Sequence, residues 1–161
     1  MAKQDFPVTQ AIRFLRSHNV AFEPRLYEYE ERGGTAHSAE CLGVDEHHVI
    51  KTIVCENEKK HGIFVLMHGV KHIYTRQLAR DVGMMHIDAA DPKQANKWTG
   101  YLVGGTSPFG TKTVLPVYVE ASILALDTIY INGGKRGFLV VMQAADLQVL
   151  QPVAVNVAVD V

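Results

Sequence analysis

Lys51-Thr52-Ile53-Val54-Cys55 and Ile63-Phe64-Val65-Leu66-Met67, joined by the polar run Glu56-Asn57-Glu58-Lys59-Lys60-His61-Gly62, set the centre of the fold. Two runs rich in β-branched residues, separated by a charged linker ending in glycine, predict an antiparallel strand pair. Working outward toward the N-terminus, Val8, Ala11, Ile12 and Leu15 recur at helical spacing, which predicts an amphipathic helix from Pro7 to His18. Ala21 to Tyr29 alternates as a strand does, Thr35 can cap a short helix through Leu42, and Asp45 can cap a further turn. Toward the C-terminus, Thr75 to Val82 reads as helix, and Asp91-Pro92 opens another that Thr99-Gly100 ends. Val114 to Val119, Thr128 to Asn132 and Phe138 to Met142 read as strands, the last entered through the glycine-rich turn Gly133-Gly134-Lys135-Arg136-Gly137. Gln143 to Leu150 returns to helix, and the valines at 153, 155, 157, 159 and 161 predict one strand over the tail. The expected architecture is a single α+β domain over residues 1–161, with a central mixed, mainly antiparallel sheet flanked by short helices.

At 161 residues the chain fits one domain with a core that needs no disulfide or structural metal. Lys and Arg number 16 against 17 Asp and Glu, so no global positive field gathers nucleic acid and any RNA contact is local. Cys41 and Cys55 are expected as buried thiols of a cytoplasmic protein, and no 18-residue apolar run or export signal is read. Glu23, Glu28, Glu30, Glu31, Glu40, Asp45 and Glu46 outweigh Arg25 and Arg32, whereas Lys93, Lys97 and Lys112 stand in a stretch without acids. A local basic face is therefore expected there, extended by Lys71, His72, Arg76 and Arg80; a solvated helix face is the alternative.

The most unusual composition lies in Gly100-Tyr101-Leu102-Val103-Gly104-Gly105-Thr106-Ser107-Pro108-Phe109-Gly110. Such a loop either brings bare backbone N–H groups to a ligand as an oxyanion or phosphate hole, or is a long connection with ordinary turn chemistry. Lys51 opens an apolar strand; it is either a solvated edge lysine or a point charge for a carbonyl or phosphate oxygen. His47-His48 and the pair His68 and His72 lack partners at ligand spacing, so no metal is expected. No cofactor fingerprint is present.

Taken together, Val49-Ile50-Lys51-Thr52-Ile53-Val54, Asp91-Pro92, the run from Thr99 to Gly110 and Ile129-Tyr130-Ile131-Asn132-Gly133-Gly134-Lys135-Arg136-Gly137 resemble the YbaK/ProX family, which contains prolyl-tRNA synthetase-associated editing domains. The resemblance spans about Gln10 to Leu150. It implies trans-editing hydrolysis of the ester of a mischarged aminoacyl-tRNA, Cys-tRNA(Pro) or Ala-tRNA(Pro), with the tRNA acceptor end and prolyl-tRNA synthetase as partners, and neither DNA nor membrane. It carries Lys51 over as the pocket lysine, and Gly104, Gly105, Ser107 and Pro108 as the loop holding the ester. It places Tyr27, Thr35 and His37 in the pocket, and Thr52, Thr106, Phe109 and Leu139 among the substrate-binding residues. Leu139 departs from the acidic residue of cysteinyl-specific relatives, and the alternating tail departs from relatives that end in a helix. A non-catalytic tRNA- or synthetase-binding module, and a peptide or small-molecule binding domain, are the rival readings.

Overall fold

The computed structural model describes residues 5–160. The chain runs α1 (Gln10–Ser17), β1 (Glu23–Leu26), α2 (Gly34–Leu42), a 3-10 turn (Glu46–His48), β2 (Val49–Asn57), β3 (Gly62–His68), β4 (Lys71–Ile73), α3 (Thr75–Asp81), β5 (Ile87–Ala89), α4 (Pro92–Thr99), β6 (Val117–Glu120), α5 (Ala121–Leu124), β7 (Thr128–Lys135), β8 (Phe138–Gln143), a 3-10 segment (Ala144–Leu150), β9 (Val153–Val155) and β10 (Ala158–Asp160). The main sheet has the order β1-β8-β7-β2-β3-β6-β9, with β5 also on β2, while β10 and β4 form a separate ribbon. β2 and β3 pair antiparallel from Ile50↔His68 to Glu56↔Gly62, as the opening stretch predicts. The sheet is mixed because β2–β7, β3–β6 and β6–β9 run parallel.

Both faces of the sheet are covered, which is why β3 is buried at every residue. Phe64 and Leu66 point to the side where α1 lays Ala11, Ile12 and Leu15, while Ile63, Val65 and Met67 meet Leu78 and Ala79 of α3. Ala39 of α2 packs on Val49 and Leu139 in a third cluster beside the second.

Several local expectations change. Helix α1 starts at Gln10, because Thr9 accepts from the Ile12 amide at 3.2 Å and so ends the helix there; Val8 stays exposed. Thr35 is not the cap of α2: Gly33 holds that position, and the Thr35 hydroxyl donates to Glu46 Oε2 at 2.7 Å. Residues 144–150 are 3-10 rather than α-helical, and the strand expected from Val114 begins at Val117. β7 continues past Asn132 to Lys135 through a bulge, with Asn132 Oδ1 accepting from the Gly134 and Lys135 amides at 2.6 and 3.1 Å. The tail is two strands, not one. Glu120 takes the amides of Val157 and Ala158, which moves the chain from β6 onto β4; Val161 lies outside the described residues. Cys41 is exposed; only Cys55 is the buried thiol expected. Among the described residues no helix is long and apolar enough to cross a membrane.

Candidate active site

The cavity of interest exists because one edge of β2 is left partly uncovered. On that edge β7 pairs with Val49 and Ile50, and β5 pairs from Cys55 to Asn57, so Lys51 to Val54 have no strand beside them. The Val49 carbonyl accepts from Gly69 on the β3 side, and the Val54 carbonyl accepts from Ala90 on the β5 side. Backbone groups alternate along a strand, so the N–H and C=O of Thr52 point into the gap. The Thr52 hydroxyl is buried there without a hydrogen-bond partner. An orphaned buried hydroxyl is costly, and this one belongs to the residue whose backbone N–H and C=O face the gap.

The gap opens into a cavity of about 620 Å³ bounded by α2, β2, the segment 89–95 and the glycine loop. Lys51 stands on its wall, and its ammonium donates to the carbonyl of Lys71, which takes one of its three N–H bonds. Burial holds the Lys51 pKa below its usual value, and the Glu46 carboxylate opposes that shift. Ile53, Val54, Ala90, Ala95 and Leu139 give the cavity an apolar side, while Glu30, Arg32 and Arg136 also line it.

Of the residues singled out from sequence, Tyr27, Thr35, His37, Lys51, Thr52, Gly104, Thr106 and Leu139 border this cavity. Tyr27 lies edge-on to His37 at 6.0 Å, and burial raises its pKa. His37 is held through Nε2 by the Glu28 carbonyl at 2.8 Å and lies 3.2 Å through Nδ1 from Glu30. Leu139 is 4% exposed, packed on Ala39 and Val49 and edging the cavity at once. Gly105, Ser107, Pro108 and Phe109 lie behind the wall. Ser107 Oγ accepts from the Phe109 amide at 3.1 Å, both residues being fully buried, and Phe109 stacks on the partly buried Phe14 with centroids 5.8 Å apart. These contacts hold the shape of the loop.

That shape depends on residues the motif reading did not single out. Asn132 donates to the Gly104 carbonyl at 3.1 Å, and Arg136 donates through Nε to the Val103 carbonyl at 2.8 Å while lying over the Tyr29 ring. Gly104 has φ +90°, and a Cβ there would fall 2.7 Å from the Tyr29 hydroxyl. A Cβ on Gly105 would fall 2.7 Å from the Arg136 backbone nitrogen, so here the glycine serves close packing of loop on hairpin. The Gly105 amide already donates to Leu102, whereas those of Gly104 and Thr106 donate to no acceptor among the described residues. Asn132 and Arg136 stand in the quoted Ile129–Gly137 motif, but spacing alone does not say that a bulge turns them onto the loop. Ser122 and His68 meet at 2.7 Å without lining the cavity.

The basic residues divide. Lys93 and Lys97 lie exposed on α4 beside the cavity, and the Lys112 side chain covers Gly100. Lys71 pairs with Asp160, and Arg76 and Arg80 border a separate recess of about 520 Å³ with His86 and Asp88. Among the described residues no three His, Cys, Asp or Glu side chains gather as metal ligands.

Over 130 residues the chain is 28% identical to a protein of Enterococcus faecalis named as a Cys-tRNA(Pro)/Cys-tRNA(Cys) deacylase, EbsC, covering 80% of this chain and 79% of that one. It is 29% identical over 86 residues to the proline–tRNA ligase of Brachyspira hyodysenteriae, 53% of this chain but 15% of the ligase. A solved structure described as a trans-editing enzyme for prolyl-tRNA synthetase superposes with TM-score 0.80 at 20% identity, over 92% of this chain and 94% of that one. A second, described as a hypothetical protein, reaches 0.85 at 19% identity over 94% and 100%. The model of the aminoacyl-tRNA editing domain matches residues 30–150, which take in α2, the uncovered edge of β2, the glycine loop and the β7–β8 hairpin, and the chain belongs to that family.

Proposed function

We propose that this protein is a trans-acting deacylase that hydrolyses the ester of a mischarged aminoacyl-tRNA, with Cys-tRNA(Pro) or Ala-tRNA(Pro) as substrate. The observation that carries the reading is the uncovered edge of β2, where Lys51 and Thr52, the latter with an unpartnered hydroxyl, both border one cavity. An aminoacyl ester is already activated, so a site need only exclude water, orient the ester and stabilise negative charge on its carbonyl oxygen. Lys51 supplies a fixed positive charge, and Gly104 and Thr106, which border the same cavity and whose amides donate to no acceptor among the described residues, are the neutral donors of this scheme. Attack on the carbonyl carbon forms a tetrahedral oxyanion. The bond to the ribose oxygen then breaks, that oxygen takes a proton, and the amino acid leaves. A positioned water, which the neighbouring ribose hydroxyl can orient, supplies both the attacking oxygen and the proton that the ribose oxygen takes; in a cysteinyl ester the substrate's thiol can attack instead, the acyl group then leaving as a thiolactone that water opens. The name of the Enterococcus relative supports a cysteinyl ester, whereas the apolar Leu139 at the cavity edge supports a small apolar acyl group such as alanyl.

Incubation with a panel of mischarged tRNAs tests the reading. Loss of ester from one or two members, abolished by Lys51→Ala with the melting temperature kept, supports the enzyme. Stable binding with the ester intact identifies a binding module instead, and absence of any tRNA binding removes both.

A further inference from the structure

The valine-rich tail does not line the cavity, yet backbone contacts join it to Lys51. The Lys51 ammonium is held by the carbonyl of Lys71, the first residue of β4. β4 has one partner strand, β10, in the register Lys71↔Asp160, His72↔Val159 and Ile73↔Ala158, with an ion pair between the Lys71 and Asp160 side chains. The start of β10 is fixed by Glu120, which is 5% exposed and accepts through Oε1 from the amides of Val157 and Ala158 at 2.7 and 3.0 Å. The Val157 carbonyl takes the Tyr74 amide at 2.8 Å at the other end of β4. A two-stranded ribbon is marginal in water; β4 is tied at its start by the turn from β3, where the Gly69 amide donates to the Val49 carbonyl at 2.7 Å, and along its length by these anchors on β10. A lysine side chain without a fixed acceptor samples many rotamers and turns its charge to solvent.

We propose that β10, anchored by Glu120, is a strap that positions the Lys51 ammonium in the cavity by holding the Lys71 carbonyl in place. The proposal rests on the deacylase reading only for its effect on rate; the placement of the ammonium is independent of it. The residues of the strap are positioning residues, since none borders the cavity.

Val159→Pro tests this. The bond from Tyr74 to Val157 makes Val159 and His72 the next hydrogen-bonded pair, so proline removes a ribbon donor at an exposed position without opening the core. Asp160→Lys, which sets two like charges together at the exposed end of the ribbon, is the second route should proline disturb folding. Val159→Thr keeps the amide and is the conservative control. The readouts are the acetylation rate of Lys51 relative to the exposed Lys97, followed by mass spectrometry, and kcat and KM on the edited tRNA. The expected result for Val159→Pro and Asp160→Lys is Lys51 labelling raised ~5-fold or more and kcat lowered ~10-fold with KM within ~2-fold, Val159→Thr matching wild type, the scale set by what misplacing a catalytic group costs. Folded Val159→Pro and Asp160→Lys proteins with wild-type labelling overturn the strap. Raised labelling with unchanged kcat keeps the strap and overturns instead the catalytic role given to Lys51.

Discussion

At the scale of single residues, the reading turns on two side chains that share a cavity and differ in character. Lys51 carries a charge whose pKa burial lowers below 10.5, with the nearby Glu46 pulling the other way. Lys51→Ala is expected to lower kcat by ~10²-fold or more, the cost of removing one charge-stabilising group, and to leave the melting temperature within a few degrees. Product release and thermal melting measured side by side check this. A depressed ammonium loses its proton sooner on raising the pH, so the Lys51-dependent rate, with spontaneous ester hydrolysis subtracted, falls as the pH rises through a value below that of an ordinary lysine. In Lys51→Arg that alkaline limb moves out of range, because guanidinium stays charged. Leu139 poses the question of specificity. It is held by Ala39 and Val49 and also meets the cavity, so Leu139→Asp both installs an acceptor and buries a carboxylate. The expected outcome is a lower melting temperature together with a rate ratio shifted from Ala-tRNA(Pro) toward Cys-tRNA(Pro). An unchanged ratio in the folded variant limits Leu139 to packing.

At the scale of elements, what could be read from the sequence follows the range of the interactions involved. The β2–β3 pair was legible because alternation and a polar linker are local signals, and α4 because Asp91 caps it through the Lys93 amide at 2.8 Å with Pro92 next. The tail was not legible as two strands, since its break is imposed by Glu120, distant in sequence and buried. The lysine and the loop were visible as motifs. The uncovered edge that makes Thr52 polar and open was not, because it depends on where β7 stops pairing with β2 and β5 begins. The glycine loop divides in the same way: Gly104 and Thr106 reach the cavity, and Ser107 and Phe109 support them from the core. Phe109→Ala should therefore destabilise by about 3–5 kcal/mol, as a fully buried aromatic truncated to a cavity does. Ser107→Ala should cost about 1 kcal/mol, from one lost hydrogen bond to a backbone amide. Denaturant midpoints measure both, and a Ser107→Ala protein that folds normally but loses most of its deacylase rate would place the hydroxyl in the chemistry after all.

At the scale of the molecule, 16 basic residues balance 17 acidic ones, and the expected basic face is split, with Lys93 and Lys97 on α4 and Arg76 and Arg80 at the recess beside α3. Few phosphates can be neutralised at once, so tRNA affinity is expected to be modest, with a slope of log K against log salt well below that of a protein making ten phosphate contacts. A titration of uncharged tRNA at several salt concentrations measures it. In the proposed function the uncovered edge of β2 hydrolyses an aminoacyl ester with Lys51 as its charge. The most direct test is the rate of ester loss from Cys-tRNA(Pro) and Ala-tRNA(Pro) with wild type and Lys51→Ala under single-turnover conditions. Rapid loss from at least one ester with wild type and near-spontaneous loss with Lys51→Ala are expected; equal rates for the two proteins, both folded, would remove Lys51 from the chemistry.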